Sequence, residues 1–305
     1  MSLREALRRR YPRDLPADKP VFQTVLEVCQ WFIDNGLGDP DTPQRLASDN
    51  DHIYWQALSE VMVADQLHRC GLAPARQPDS PDVQVVHQGR HVWVEVVCPT
   101  PAGIPDQWLR HEEGAVTFPH EAVSLRWTSA LKEKFEKLVG MPGRNYQGYI
   151  AKGIVRPEDA YVIAINGRLL RDSWPAINGI SLWPFAVEVT YAIGPRQLQI
   201  SRDTGAIMSS SQQHRPSFQK PNGASIPSDS FFNPGYAPVS AVWAMDIDEH
   251  DLWKDRDTSI LVHNHGASNP LPANLLPAYS EYSATVGSAE YTINRRDGRL
   301  AKNGS

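Results

Sequence analysis

Two apolar runs separated by a short polar turn define the fold of this chain: Pro81-Asp82-Val83-Gln84-Val85-Val86 and His91-Val92-Trp93-Val94-Glu95-Val96-Val97. Both runs are rich in valine, and the turn between them contains Gln88-Gly89. Apolar alternation around a glycine-containing turn is typical of a β-hairpin. Pro99 and Pro101 end the second strand, because proline has no N–H to donate to a sheet. The stretch therefore predicts a hairpin.

Helical patterns lie on both sides of this hairpin. A capping cluster, Ser48-Asp49-Asn50-Asp51, precedes a helix predicted for residues 52–70, which ends at Gly71. A second helix is predicted for residues 121–139, and the apolar run 160–165 that follows is typical of a strand covered on both faces. This order predicts an α/β fold with a mixed central sheet flanked by helices.

The length of 305 residues and the 41% content of hydrophobic residues are sufficient for a large core. We divide the chain into an N-terminal helical extension (1–50), a core (51–167) and a β-rich C-terminal part (168–305). The C-terminal part either extends the sheet of the same domain or forms a small β-rich second domain. Its short strands are predicted at residues 187–193, 197–201, 239–245, 259–262 and 291–294.

Three carboxylates fall on successive elements of the predicted core. Glu60 lies on the first helix, Asp82 at a strand start and Glu95 on the next strand. Carboxylates placed in this way can converge at one edge of a sheet, where they would suit a hard cation such as Mg²⁺. Glu60 also falls on the apolar stripe of its helix, where a lone carboxylate must bind a metal or pair with an arginine. The sequence leaves both alternatives open.

In this order of elements, with a short run before Pro78 as a first strand, residues from about 51 to 167 resemble the PD-(D/E)XK nuclease superfamily. The resemblance rests on Pro81-Asp82, Glu95 and the helical Glu60. It implies a restriction-endonuclease-like core that hydrolyses phosphodiester bonds of nucleic acid, either DNA or RNA. It also implies that Asp82 and Glu95 bind Mg²⁺ or Mn²⁺ and that Glu60 completes the metal shell.

One residue of the superfamily motif is missing. A lysine normally stands two residues after the second acid and helps to position or activate the attacking water, but Glu95 is followed by Val96-Val97. On the helix predicted for 121–139, Lys134 falls at the edge of the apolar face, while Lys132 and Lys137 point farther from it. Lys134 is therefore expected to replace the missing lysine. Alternatively, its stem covers apolar surface while its ammonium group stays in water.

Two cations on the same helix, Arg126 and Lys132, are candidates for binding a flanking phosphate of the substrate. A different class of function is also consistent with the sequence, because the strand lysine is absent. In this alternative, a catalytically degenerate nuclease-fold protein binds nucleic acid or a protein partner without cleaving it.

Composition restricts the environment of the protein. A formal charge of −5 argues against a histone-like binder, although it is compatible with local basic patches. The three cysteines, Cys29, Cys70 and Cys98, form no CxxC pattern and are expected to be reduced. Without a signal peptide or a long apolar run, the expected location is the cytoplasm, with no membrane partner. The sequence is compatible with a monomer or a homodimer.

Two further sequence patterns resemble metal sites, but a structural role is expected for both. His263 and His265 would lie on one face of an extended strand and could ligate zinc, but no third ligand is identifiable beside them. A strand end with polar side chains is the favoured interpretation. The acidic stretch 246–251 lacks the glycine and the spacing of a calcium loop and is expected to be a solvated connection.

Overall fold

The computed structural model describes residues 2–11, 18–110, 117–171, 178–220, 222–254, 258–288 and 290–300. Within these ranges the chain forms the following α-helices: α1 (Leu3–Arg10), α2 (Asp18–Asp34), α3 (Thr42–Leu46), α4 (Asp51–Arg69), α5 (Asp106–Leu109), α6 (His120–Val139), α7 (Phe185–Tyr191) and α8 (Glu249–Lys254). The two helices predicted beside the hairpin correspond to α4 and α6.

The strands of the described residues are β1 (Val83–His87), β2 (Arg90–Val97), β3 (Ala160–Asn166), β4 (Ile193–Ile200), β5 (Ile207–His214), β6 (Ser217–Gln219), β7 (Ser225–Pro227), β8 (Ala241–Met245), β9 (Ile260–His263), β10 (Ser280–Val286) and β11 (Tyr291–Asp297). Seven of them form one sheet in the order β1-β2-β3-β8-β9-β10-β11. Strands β4 and β5 form a separate two-stranded ribbon, and β6 and β7 form another.

The large sheet is mixed. Strands β2, β3 and β8 are parallel, as are β9 and β10, whereas the pairs β1–β2, β8–β9 and β10–β11 are antiparallel. The predicted α/β fold with a mixed central sheet flanked by helices is therefore confirmed. The C-terminal strands β8 to β11 belong to the same sheet as the hairpin β1–β2.

Local signals account for the limits of the helices that carry the site. The side chain of Asn50 caps α4 by accepting hydrogen bonds from the N–H groups of His52 (2.9 Å) and Ile53 (3.3 Å). Helix α6 ends at Gly140, whose φ of 89° favours glycine. A Cβ at this position would also lie 2.6 Å from the carbonyl oxygen of Tyr146.

The two faces of the sheet carry separate apolar cores. Val94 and Val96 of β2 pack into the core that contains residues of α2 and α4, while Trp93 and Val97 pack into the core that contains residues of α6 and α7. Because side chains alternate along a strand, Glu95 lies on the α6 side. This alternation determines which helix supplies partners to the buried carboxylate.

Two details of the predicted secondary structure were wrong. The first of the three expected strands is reduced to a single bridge between Ala75 and Gln84. Residues 187–193 lie mainly in the helix α7 (Phe185–Tyr191) and not in a strand. Each of the seven residues of α7 is buried, so tertiary packing outweighs the strand preference of its β-branched residues.

Among the described residues, no helix has both the length and the apolar character that crossing a bilayer requires.

Candidate functional site

Strand β2 extends beyond its neighbour β1. The first residue of β1, Val83, lies opposite Val94, so the residues of β2 after Val94 have no β1 partner. The N–H of Val96 instead donates to Asp82 Oδ2 at 2.7 Å. The side chain of Asp82 thus takes the place of a backbone acceptor on β1. Strand β1 leaves this end of β2 uncovered, and we call it the open end of the sheet edge.

One amide side chain of helix α4, Gln56, forms hydrogen bonds with the next backbone groups at the end of β2. Gln56 Oε1 accepts from the N–H of Cys98 at 2.9 Å, and Gln56 Nε2 donates to the carbonyl oxygen of Val96 at 3.1 Å. The same Nε2 donates to Glu60 Oε1 at 3.0 Å. The hydrogen-bonding groups of the uncovered part of β2 are therefore occupied by side chains, and α4 is held against the sheet edge.

A cavity of about 410 Å³ lies at this open edge. It is bordered by α4, by the end of β2 and by one face of α6, and many of its lining groups are charged. Its residues are Asp39, Arg45, His52, Gln56, Glu60, Asp82, Val97, Cys98, Pro99, Thr100, Arg126, Ser129, Ala130, Glu133, Lys134 and Lys137. The structure thus brings Glu60, Asp82, Lys134 and Arg126 to one cavity, with Glu95 behind its wall.

Glu60 is buried and pairs with an arginine. Its oxygens accept hydrogen bonds from Arg45 Nη1 at 3.1 Å and from Arg45 Nη2 at 2.5 Å. Burial tends to lower the pKa of Arg45, but the hydrogen bond to Glu60 and the charge of Glu60 raise that pKa above its ordinary value. Of the two alternatives that the sequence left open for Glu60, the arginine pair is present.

Glu95 is completely buried and has two lysine partners. Its Oε1 lies 2.8 Å from Lys137 Nζ and 3.2 Å from Lys134 Nζ, and the hydroxyl of Tyr149 donates to its Oε2 at 3.2 Å. A buried carboxylate requires such compensation, because its desolvation is costly. Helix α6 therefore supplies the positive charge that the residue two places after Glu95 does not.

Lys134 is buried against Glu95, as the helical periodicity predicted. The expectation that Lys137 points away was wrong: its ammonium group is the nearer of the two to Glu95, and it lines the cavity. Residues three apart on a helix are neighbours on its surface, so the long side chains of Lys134 and Lys137 reach the same carboxylate. The side chain of Lys137 is 38% exposed, compared with 6% for Lys134.

The charges of the three acids act on one another. Burial raises the pKa of Asp82 well above that of an ordinary carboxyl group, and the negative charges of Glu95 and Glu60 raise it further. Lys134 and the hydrogen bond from the N–H of Val96 act in the opposite direction. Additional positive charge in the cavity would therefore lower the pKa of Asp82.

Arg126 lines the cavity, and its guanidinium group donates to the hydroxyl of Thr100 at 3.0 Å. Burial lowers its pKa, and the charge of Glu133 offsets this only in part. Its buried Nε has no hydrogen-bond partner among the described residues. The second candidate for phosphate binding, Lys132, lies outside the cavity, is largely exposed and pairs with Glu136 at 3.7 Å. Of the two predicted cations, Arg126 alone is placed to contact a ligand in the cavity.

The ligand set expected for a metal is assembled only in part. Glu60, Asp82 and Glu95 do not form a group whose ligand atoms all lie within 4.8 Å of one another; within the described ranges, Asp248, Glu249 and His250 form such a group. The oxygens of Glu60 are engaged by Arg45 and Gln56. Asp82 uses Oδ2 for its hydrogen bond to Val96, which leaves Oδ1 for a ligand. Asp82 and Glu95 are therefore the two expected ligands that no arginine engages, and the oxygens of Glu95 already accept from Lys137 and Tyr149. A cation such as Mg²⁺ takes only one or two carboxylates besides waters.

The histidine pair has structural partners. His263 lies 3.2 Å from Glu281, which also pairs with Arg296, and His265 follows the end of β9 and contacts the ring of Tyr191. No third metal ligand accompanies the two histidines among the residues that the structure describes. The strand-end interpretation of this motif is the one that these contacts support.

The acidic stretch 246–251 is not simply a solvated connection. Asp246 is buried and pairs with Arg171 at 2.6 Å. Asp248 accepts hydrogen bonds from the N–H groups of His250 and Asp251 at the start of α8.

Comparisons of the chain with models of protein families, with curated proteins and with solved structures found no match.

Proposed function

We propose that this protein is a metal-dependent nuclease that hydrolyses phosphodiester bonds of nucleic acid. One observation carries the proposal: at the open end of the sheet edge, Asp82 borders a charged cavity whose wall holds the buried pair of Glu95 with Lys137 and Lys134. The resemblance of the motif around Asp82 and Glu95 to the PD-(D/E)XK superfamily gives this arrangement a chemical interpretation.

Asp82 and Glu95 are the residues that would hold Mg²⁺ or Mn²⁺, and Glu60 keeps Arg45 in place. Bound there, the metal ion would polarise the phosphate and lower the pKa of the attacking water. The effect of a cation on Asp82 follows from its raised pKa: added positive charge favours the ionised carboxylate, so metal binding and ionisation of Asp82 support each other.

Lys137 is suited to stabilising charge rather than to accepting a proton. Burial tends to lower its pKa, but the charge of Glu95 and the hydrogen bond to Glu95 raise the pKa above the ordinary value for lysine. The ammonium group therefore stays protonated at neutral pH. Because it is partly exposed in the cavity, it can approach the negative charge that develops on the phosphate during in-line attack.

Arg126 would fix the position of the phosphate in the cavity. A guanidinium group offers five donors, and the contact to Thr100 uses one of its terminal nitrogens. The guanidinium group borders the cavity, where its remaining terminal donors can meet a phosphate oxygen, whereas the Nε is itself buried. Binding of the phosphate by Arg126 and stabilisation of its charge by Lys137 would therefore come from one helix, α6.

The proposal is tested by incubating labelled DNA and RNA with the protein and Mg²⁺ or Mn²⁺, and by measuring metal binding calorimetrically. Asp82→Asn and Glu95→Gln should lose at least 100-fold in cleavage rate, in line with the loss of a principal electrostatic group. Glu136→Gln is the matched control, because this acid lies on α6 outside the cavity. Equal cleavage rates for all four proteins would refute the assignment.

A second candidate function is binding without cleavage. It is favoured by the fact that Glu95 already has two lysine partners and a tyrosine hydroxyl, so its charge is compensated without a metal ion. Calorimetry distinguishes the two candidates. A nuclease should bind Mn²⁺ in a manner that depends on Asp82, whereas a degenerate binder should retain nucleic acid in EDTA and show no such metal site.

A further inference from the structure

The ribbon formed by β4 and β5 has one apolar face that the described part of the chain leaves exposed. Leu198 and Ile200 lie on one face of β4, because they are two residues apart, and Ile207 lies directly opposite Ile200 on β5. These side chains are 49%, 54% and 63% exposed, and the neighbouring Met208 is 69% exposed. The opposite face carries the polar pairs Gln199–Ser209 and Gln197–Ser211.

The part of the ribbon beyond Gly194 is exposed and would gain stability from a partner. Two antiparallel strands alone are marginally stable in water, and three or more strands or a packed apolar face are normally needed. Clustered exposed apolar side chains of this kind mark an interaction surface. The polar face is already solvated, so the apolar face is the one to be covered.

A cleft at the base of the ribbon has the properties that match this face. Its volume is about 670 Å³, and apolar and aromatic side chains line it together with the exposed carboxylate of Glu290. The residues of the cleft are Trp183, Ile193, Gln212, His214, Glu290, Tyr291, Thr292 and Ile293. The ribbon itself carries Arg196 and, in its turn, Arg202. Among the described residues, no carboxylate pairs with Arg196, whose Nε donates to Ser210.

We propose that the β4–β5 ribbon docks in the cleft of a second copy of this chain, and that the second copy returns the contact, which gives a symmetric homodimer. One molecule carries both the apolar ribbon and the apolar cleft, and both the arginines and the glutamate. A two-fold interface of this kind uses the same patch on both partners. The proposal does not depend on the nuclease activity.

The size of the contact fits a reversible dimer. Residues 195–200 are the part of β4 that is not buried in its own chain, and six residues of β-strand extend about 20 Å. With strands that are together roughly 10 Å wide, and with both surfaces of both contacts counted, the dimer buries roughly 800 Å², which lies in the range of weak interfaces. Nucleic acid is not the favoured occupant, because the lining of the cleft contains no lysine or arginine and Glu290 adds a negative charge.

The test is sedimentation velocity of the full chain. We expect a mass of about twice 34.1 kDa for the wild type. Ile207→Asp on the ribbon and Thr292→Asp in the cleft should each shift the mass to that of one chain, since each substitution occurs twice in the dimer. Ser211→Asp is the matched control on the polar face of the same ribbon and should remain dimeric. Circular dichroism checks that each variant is folded; Ile207, Thr292 and Ser211 are exposed in the single chain.

Two outcomes overturn the proposal. The first is a wild type that is monomeric; if the affinity of that monomer for duplex DNA also falls with Ile207→Asp but not with Ser211→Asp, the ribbon is a nucleic-acid-binding arm. The second is a dimer that neither Ile207→Asp nor Thr292→Asp dissociates, or that only one of them dissociates, because the ribbon and the cleft must act together.

Discussion

Replacing Arg45 by methionine tests our proposal that the ion pair with Arg45, and not a metal ion, compensates the buried charge of Glu60. The substitution leaves the carboxylate of Glu60 buried with one remaining hydrogen bond, from Gln56 Nε2 at 3.0 Å. Removing one partner of a buried ion pair costs about 3–5 kcal/mol. The side chain of Arg45 is 19% exposed and Gln56 stays in place, so we expect a smaller loss of about 2–3 kcal/mol in the free energy of unfolding.

The assay is unfolding in EDTA, followed by heat or urea. At about 2 °C for each kcal/mol in a chain of this size, Arg45→Met should melt about 4–6 °C below the wild type. Lys132→Met is the control, because Lys132 is 68% exposed and its pair with Glu136 is expected to contribute less than about 1 kcal/mol. The double variant Arg45→Met/Glu60→Gln should recover about 1–2 kcal/mol relative to Arg45→Met, since it no longer buries an uncompensated charge.

Two results would refute this reasoning. One is an Arg45→Met protein as stable as Lys132→Met. The other is a Glu60→Gln protein that retains its fold but binds Mn²⁺ at least about tenfold more weakly, which would restore Glu60 as a metal ligand. If our interpretation is correct, Glu60→Gln changes stability and leaves the metal affinity within about threefold of the wild type.

Three further predictions concern the cavity. Lys137→Met should lower kcat by about 10²-fold while the affinity for Mn²⁺ stays within a few-fold, and an effect on kcat no larger than that of Lys132→Met would contradict the role given to Lys137. In EDTA, Asp82→Asn should be more stable than the wild type at pH 7 and equally stable below pH ~4. Because the pKa of Asp82 is raised in the folded protein, the unfolded chain ionises first above pH ~4, and the wild type loses stability from there up to the pH at which the folded protein ionises Asp82 as well; unfolding measured across this range checks the sign. Arg126→Met should weaken nucleic-acid binding and reduce the slope of log K against log salt by about 1, whereas an unchanged slope would exclude a phosphate contact.

The core elements could be predicted because their signals are local. The capping residue Asn50, the valine alternation around Gln88-Gly89 and the terminating Gly140 act within a few residues of the elements that they limit. The predicted helix at 52–70 differs from α4 by one residue at each end, and the one at 121–139 differs from α6 by one residue at its start. The placement of Glu60 and Lys134 on buried helix faces followed from the same periodicity.

The partners of the buried acids could not be predicted in the same way. Arg45 lies on α3, in a different helix from Glu60, and only the packing of α3 against α4 brings the pair together. Lys137 was placed on the wrong side because a helical wheel gives the direction of Cβ and ignores the reach of a long side chain. The helix α7 was missed because its strand-like residues are buried on all sides, where packing determines the conformation.

The use of Asp82 and Gln56 in place of a neighbouring strand has a consequence for association between molecules. Uncovered backbone groups at a sheet edge can recruit a strand from another chain and so begin aggregation. Here the N–H and C=O of Val96 and the N–H of Cys98 are already occupied by side chains. The end of β2 beside the cavity therefore offers none of these three backbone groups to a strand of another molecule.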